Sequence, residues 1–175
     1  MKIFSSPKFD VIIDKFKLPN GKEVEKAYVK HRGSAVIVPF IDKETIIMIK
    51  QYRPVVNKWL YELPAGTIDE GENEETTAKR ELEEEIGYQA KSVTKLFSFY
   101  VSPGVTTEIM HVFIAKELVK TSQHLEEYEV IEPFEIKLRD AINMVLDGKL
   151  EDGKTMLTLL FISQKYQELL ARQLI

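Results

Sequence analysis

The sequence predicts an α/β fold, a mixed β-sheet packed between helices and preceded by an N-terminal antiparallel hairpin. Three observations carry that expectation. Apolar, β-branched runs crowd the first third, above all at 33–41 (GSAVIVPFI) and 44–50 (ETIIMIK). A single amphipathic helix follows between Asn73 and Gly87. More strand-like runs then give way to two closing helices, and that order belongs to a layered α/β architecture.

At 175 residues the chain suits one main body, at 33–175, with extra strands ahead of it at 1–32. A hydrophobic content of 44% and a charged content of 30% are ordinary for a globular protein. The net charge of −4 argues against a protein that coats nucleic acid. Without cysteine there is no disulfide, thiolate metal site or thiol nucleophile. No apolar run reaches the roughly 18 residues of a membrane span. Met1-Lys2-Ile3-Phe4-Ser5 does not lead into a signal-peptide core, so the expected compartment is the cytoplasm, with no membrane partner.

Phe9 to Lys17 alternates loosely and reads as a strand. Leu18-Pro19-Asn20-Gly21-Lys22 is a turn with Asn-Gly at its tip, and Glu23 to His31 returns as the partner strand. Phe4, Phe9, Phe16 and Tyr28 exceed what one hairpin can bury. They either pack on the domain's own sheet or mark a hairpin exchanged in a homodimer, with one ring left to stack on a substrate base. The runs at 33–41 and 44–50 read as central strands buried on both faces. Pro54 ends the second, having no amide donor. Trp59 to Gly66 reads as one short strand, with Trp59 as a core or interface residue. Ser92 to Val101, Glu108 to Lys116 and Val130 to Lys137 read as later strands, separated by a polar loop at Thr121 to Tyr128. A lone His111 in an apolar strand reads first as a hydrogen-bonded core residue and second as a ligand. Leu138 to Asp147, stopped by Gly148, and Lys154 to about Ala171 read as helices, the latter with Leu157, Leu160, Phe161 and Tyr166 at helical spacing.

The central helix carries the chemistry. Asn73 is a good N-cap and Gly87 stands where a left-handed C′ glycine belongs. At about 100° per residue, Ala78, Leu82 and Ile86 make a ridge that can be buried. Glu81, Glu84 and Glu85 fall on the adjacent arc, in the last turn, where the macrodipole is already negative. Like charges so placed oppose a helix by roughly 0.2–0.5 kcal/mol per pair, and Arg80 alone gives local relief. A divalent cation turns that liability into a site. Carboxylates without cysteine or a histidine cluster select hard ions, Mg²⁺ or Mn²⁺, over Zn²⁺.

From Gly66 to Tyr88 the chain meets every defined position of G-x5-E-x7-R-E-U-x-E-E-x-G-U, where U is bulky and apolar. This resembles the Nudix box, and Tyr88 is the one slightly polar choice. Gln51-Tyr52-Arg53-Pro54, Glu62-Leu63-Pro64-Ala65-Gly66 and Ser102-Pro103-Gly104 are similar to the ADP-ribose pyrophosphatase branch of that superfamily, as is the position of Pro103 beyond the box. The resemblance runs from about Asn20 into the last helix. It implies the α/β/α Nudix sandwich and a homodimer with exchanged N-terminal hairpins. It also implies metal-dependent hydrolysis of ADP-ribose to AMP and ribose 5-phosphate. Other nucleoside diphosphate sugars (GDP-mannose, ADP-glucose) and dinucleoside polyphosphates are the alternative substrates. A module that binds nucleotide without turnover is disfavoured, because all three box glutamates are kept.

The resemblance further implies site residues. Glu81, Glu84, Glu85 and Glu129, with the carbonyl of Ala65, would hold the metal. Arg80 would hold the glutamates in place, and Glu72 keeps a capping or hydrogen-bonding role open. Arg53 would contact the nucleotide side of the substrate, Glu62 would also bind substrate, and Gly104 and Glu108 would lie along the wall facing the terminal ribose. For Glu108 a surface acid is an equal reading. The general base falls at Glu127, with Glu126 one residue away as its rival. One departure concerns the base-stacking pair: the branch usually carries Arg-Glu where this chain has Lys26-Ala27. Lysine is no planar substitute for arginine, so adenine stacking would either be weaker or fall to Phe4 or Phe9, which leaves base selectivity open.

Overall fold

The computed structural model describes residues 1–175. Strand β1 (Lys2–Ser5), β2 (Phe9–Lys17) and β3 (Glu23–His31) form an antiparallel sheet of their own. The expected turn joins β2 to β3, and Gly21 takes the positive φ of 82° that it requires. β1 was not foreseen: four exposed residues at a sheet edge leave no alternation to read. Nothing in 1–32 is buried, and burial begins at Gly33.

β4 (Ser34–Pro39), β7 (Ala65–Thr67), β8 (Tyr88–Tyr100) and β9 (Ile109–Lys120) make a four-stranded sheet in the order β7-β4-β9-β8. It is mixed, because β4 and β9 run parallel while the other pairs are antiparallel. β5 (Thr45–Arg53), β6 (Lys58–Glu62) and β10 (Ile131–Lys137) form an antiparallel sheet with β5 at its centre. Helices α1 (Glu74–Ile86), α2 (Leu138–Leu146) and α3 (Gly153–Ala171) complete the chain. No helix is long and apolar enough to cross a membrane.

The sandwich is visible in how neighbouring residues part company. Val36 and Val38 of β4 join one core with α2 and α3, while Ala35 and Ile37 join another with α1. Ile46 and Met48 against Ile47 and Ile49 divide in the same way on β5. Side chains alternate across a strand, so an unbroken apolar run serves two faces at once.

Two expectations change. The single strand at Trp59 to Gly66 is two strands in different sheets, split at Leu63-Pro64. Pro64 has no N–H for a ladder, and its carbonyl accepts from Ile37 N at 2.9 Å, which carries the chain from one sheet to the other. In α3 the buried face is Leu159, Ile162 and Leu169 with Thr155 and Thr158, whereas Leu157 and Leu160 are exposed. Two apolar stripes compete on that helix, and only packing against α2 and the strands chooses between them. Phe161 stacks at 4.3 Å on Phe97, and Tyr166 donates to Lys43 O.

Candidate active site

Helix α1 has the ends that the sequence predicts. Asn73 Oδ1 accepts from Thr76 N at 2.9 Å, and Gly87 closes the helix at φ 70° with its N–H on Glu83 O. Ala78, Leu82 and Ile86 are buried, which turns the neighbouring acids inward. Glu81 is 8% exposed and Glu85 2%. Glu85 Oε2 accepts from Ala65 N at 2.9 Å, so β7 and α1 are tied at the site. Gly66 is there for proximity: a Cβ at that position would lie 1.7 Å from Glu81 Oε1.

Arg80 is the hub. Its Nη1 donates to Glu81 at 2.7 Å and Glu84 at 2.8 Å, its Nε to Glu72 at 3.1 Å, and its Nη2 to Thr67 O at 3.1 Å. Glu72 also accepts from Thr77 Oγ1, so it braces the box rather than facing ligand. Burial pushes the Glu81 carboxyl up to about 7 against the pull of Arg80. Burial, then the charge of Glu81, pushes Glu85 well above the ordinary carboxylate range.

These acids open onto a cleft of about 340 Å³. A larger hollow of about 520 Å³ beside α2 contains none of them, so size does not mark the site. On the far wall Arg53 places Nε and Nη2 on Glu62 at 2.8 and 2.6 Å. Glu62 itself is 1% exposed and lies beneath Arg53, out of reach of a substrate. Glu108 reaches the cleft and accepts from Ser34 Oγ at 2.7 Å, which makes it more than a surface acid. Gly104, in the turn before β9, does not line the cleft.

The loop after β9 is anchored at its start and acidic at its tip. Thr121 N donates to Gly87 O, His124 N to Glu84 O, and Gln123 Nε2 to Glu85 O. Glu126 and Glu129, joined by a turn, face the cleft, and Lys8 from the N-terminal sheet meets Glu126 at 3.5 Å. Glu127 is exposed and does not line it. Phe4, Phe9, Lys26 and Ala27 also lie outside the cleft of their own chain. His111 Nδ1 shares a hydrogen bond with Ser98 Oγ at 2.8 Å and lies outside the cleft, while Trp59 packs edge-on against Tyr52.

The donor set fits a hard divalent cation: carboxylate and carbonyl oxygens only, with Glu81 and Glu85 buried and Glu84 more exposed. No three of the acids converge as they stand, because Glu81 and Glu84 lean on Arg80. Among the lining residues that sequence reading did not assign to the site are Lys8, Ser34, Gln51, Asp152 and Lys154. Only Lys154 left a signal, a cation in the first turn of a helix, where the dipole disfavours it.

The NUDIX domain model matches residues 30–158. The chain is 40% identical to the ADP-ribose pyrophosphatase of Bacillus subtilis over 166 residues, covering 94% of this chain and 90% of that protein. It is 34% identical to the methanol dehydrogenase activator of Bacillus methanolicus, covering 92% and 88%. To the GDP-mannose pyrophosphatase of Yersinia enterocolitica it is 37% identical, covering 86% and 82%. A crystal structure of an ADP compounds hydrolase superposes with a TM-score of 0.78 at 23% identity, over 100% of this chain and 94% of that one, which speaks for the fold. With the box, the sandwich and the acid-lined cleft in agreement, the chain belongs to the Nudix family.

Proposed function

We propose that this chain is a divalent-cation-dependent pyrophosphatase that hydrolyses ADP-ribose to AMP and ribose 5-phosphate. The observation that carries the reading is one cleft with a buried acidic wall on α1 and a cationic wall at Arg53. Similarity to an ADP-ribose pyrophosphatase over nearly the whole chain supports the choice of substrate.

Glu81, Glu85, Glu84 and Glu129, with the Ala65 carbonyl, would hold Mg²⁺ or Mn²⁺. When bound, such an ion neutralises the diphosphate oxygens and acidifies a coordinated water. The chain's own residues do the rest. Arg53 keeps Nη1 free of Glu62 and offers it to the nucleoside phosphate. Glu108, held by Ser34, accepts a hydroxyl of the distal ribose. An acid of the 121–130 loop takes the proton of the attacking water as one P–O bond forms and the bridging one breaks. Glu127 is the base by family resemblance and Glu126 its rival, supported by its lining the cleft; closure of the loop would decide between them. Arg80 orders the acids and stays off the substrate.

We also propose a homodimer built through residues 1–32. Ile3, Phe4, Phe9 and Phe16 are exposed on that sheet, and a second copy is what would cover them. GDP-mannose is the second reading for the substrate, supported by the GDP-mannose pyrophosphatase relative and by Lys26-Ala27 in place of a stacking pair. Product analysis with ADP-ribose, ADP-glucose, GDP-mannose and diadenosine polyphosphates in Mg²⁺ or Mn²⁺ tests the reaction and its substrate. AMP and ribose 5-phosphate from ADP-ribose, at the highest kcat/KM of the set, is the expected result. Faster cleavage of GDP-mannose would move the assignment, and no cleavage of any would end it.

A further inference from the structure

Lys154 is a buried cation at the start of α3, 9% exposed, with its charge against the helix dipole. Burying an ammonium is costly unless acids surround it. Here Nζ donates to Asp152 Oδ2 at 2.9 Å and to Glu62 Oε2. Glu62 is thereby shared between two cations, Lys154 and Arg53, both of which line the cleft. The frame around them is stiff. Thr155 Oγ1 accepts from Leu63 N at 2.8 Å and donates to Asp152 Oδ2 at 2.6 Å, which ties the start of α3 to the end of β6.

A second observation says that this end of the cleft is shaped for a ligand. Gln51, two residues before Arg53 on the same face of β5, is 5% exposed and lines the cleft, and its Oε1 has no partner in the protein. A buried acceptor of that kind is costly until a donor reaches it. Neither helix stability nor packing calls for this arrangement.

We propose that Lys154 is a positioning residue for Arg53: by sharing the Glu62 carboxylate it sets the guanidinium so that Nη1 meets the nucleoside phosphate. The inference rests on the cleft being a pyrophosphatase site. Without Lys154, Glu62 turns its whole charge on Arg53 and draws it away from the substrate. The lysine acts through that pair and does not itself hold the phosphate.

The test is a double-mutant cycle in the full chain, with Lys154→Met, Arg53→Ala and the pair. KM and kcat are read on ADP-ribose, or on whichever nucleotide sugar wild type cleaves, together with the affinity for the nucleoside monophosphate product and Tm. Lys154→Met alone should raise KM and product Kd by about tenfold, the size of one charge-assisted contact, with kcat within about threefold. In the Arg53→Ala background it should add nothing. Lys154→Arg, which keeps the charge, should lie closer to wild type. An equal loss in the Arg53→Ala background would make Lys154 a direct contact, and a drop in Tm with KM unmoved would make it a plain brace; either overturns the proposal. If Lys154→Met does not fold, Asp152→Asn loosens the same ammonium and must raise KM in the same direction, and an unmoved KM would refute the idea. Inactive wild type that still binds monophosphate through Arg53 would fault the assigned reaction and leave this geometry standing.

Discussion

Glu85 has a single main-chain donor, Ala65 N, and lies 2% exposed beside Glu81. A carboxylate so placed is poorly stabilised by the protein alone, which is the physical content of its raised proton affinity. Glu85→Gln keeps the hydrogen bond to Ala65 and removes the repulsion. Turnover should fall by at least about two orders of magnitude, the scale for losing one preorganised electrostatic group, while Tm without metal holds or rises. Near-normal kcat would remove Glu85 from the ligand set. The loop acids separate by the same kind of measurement. Glu127→Gln should lower kcat by roughly 10²- to 10⁴-fold with little change in KM if it is the base. Should that loss follow Glu126→Gln instead, the cleft-facing acid holds the role. Single-residue assignments of this kind were legible only in part. The box spacing located Glu81, Glu84 and Glu85, but no spacing reveals that Glu62 lies under Arg53 or that Gln51 has an orphaned oxygen.

At the scale of elements, two helices present the wrong charge to their own dipoles: α1 ends in acids and α3 begins with Lys154. Both ends converge on one cleft. The first was visible in the sequence because the acids crowd a helix whose caps are unmistakable. The second is easily passed over, since a lone lysine usually snorkels to solvent. The junction of β6 with α3 carries a pH signature. Burial pushes the Glu62 carboxyl up, but Arg53 and Lys154 outweigh it and hold the group below its ordinary 4.5. A depressed acid lends stability above the unfolded value and withdraws it as pH falls through the folded one. Acid titration of Tm should therefore show a loss beginning near pH 4.5 and continuing below it, and Glu62→Gln should flatten that limb. An unchanged limb in the variant would show that Glu62 is not the responsible group. The strand at 59–66 was misread because apolar content continues across Pro64, and only the absent amide shows that the ladder cannot.

For the whole molecule, the N-terminal sheet stands apart from the buried cores. It meets the main body through polar contacts, among them Val29 N to Val105 O and Arg32 Nε to Ile68 O, both 2.9 Å. Residues 1–32 bury nothing, yet they carry Phe4 against Phe9 and Phe16 against Tyr28. Removing them should leave a folded body from Gly33 onward that is monomeric by light scattering and binds nucleotide weakly. A stable, fully active truncated monomer would end the case for exchanged hairpins.

The amino-acid order by itself determined the layers, the caps of α1 and the identity of the box, because each depends on neighbours along the chain: periodicity, turn chemistry and fixed spacing. The buried face of α3, the split into separate sheets and the Lys154–Glu62–Arg53 chain were decided only by tertiary structure. Those features depend on charges and surfaces far apart in sequence, and their energies exist only once burial has removed the water between them.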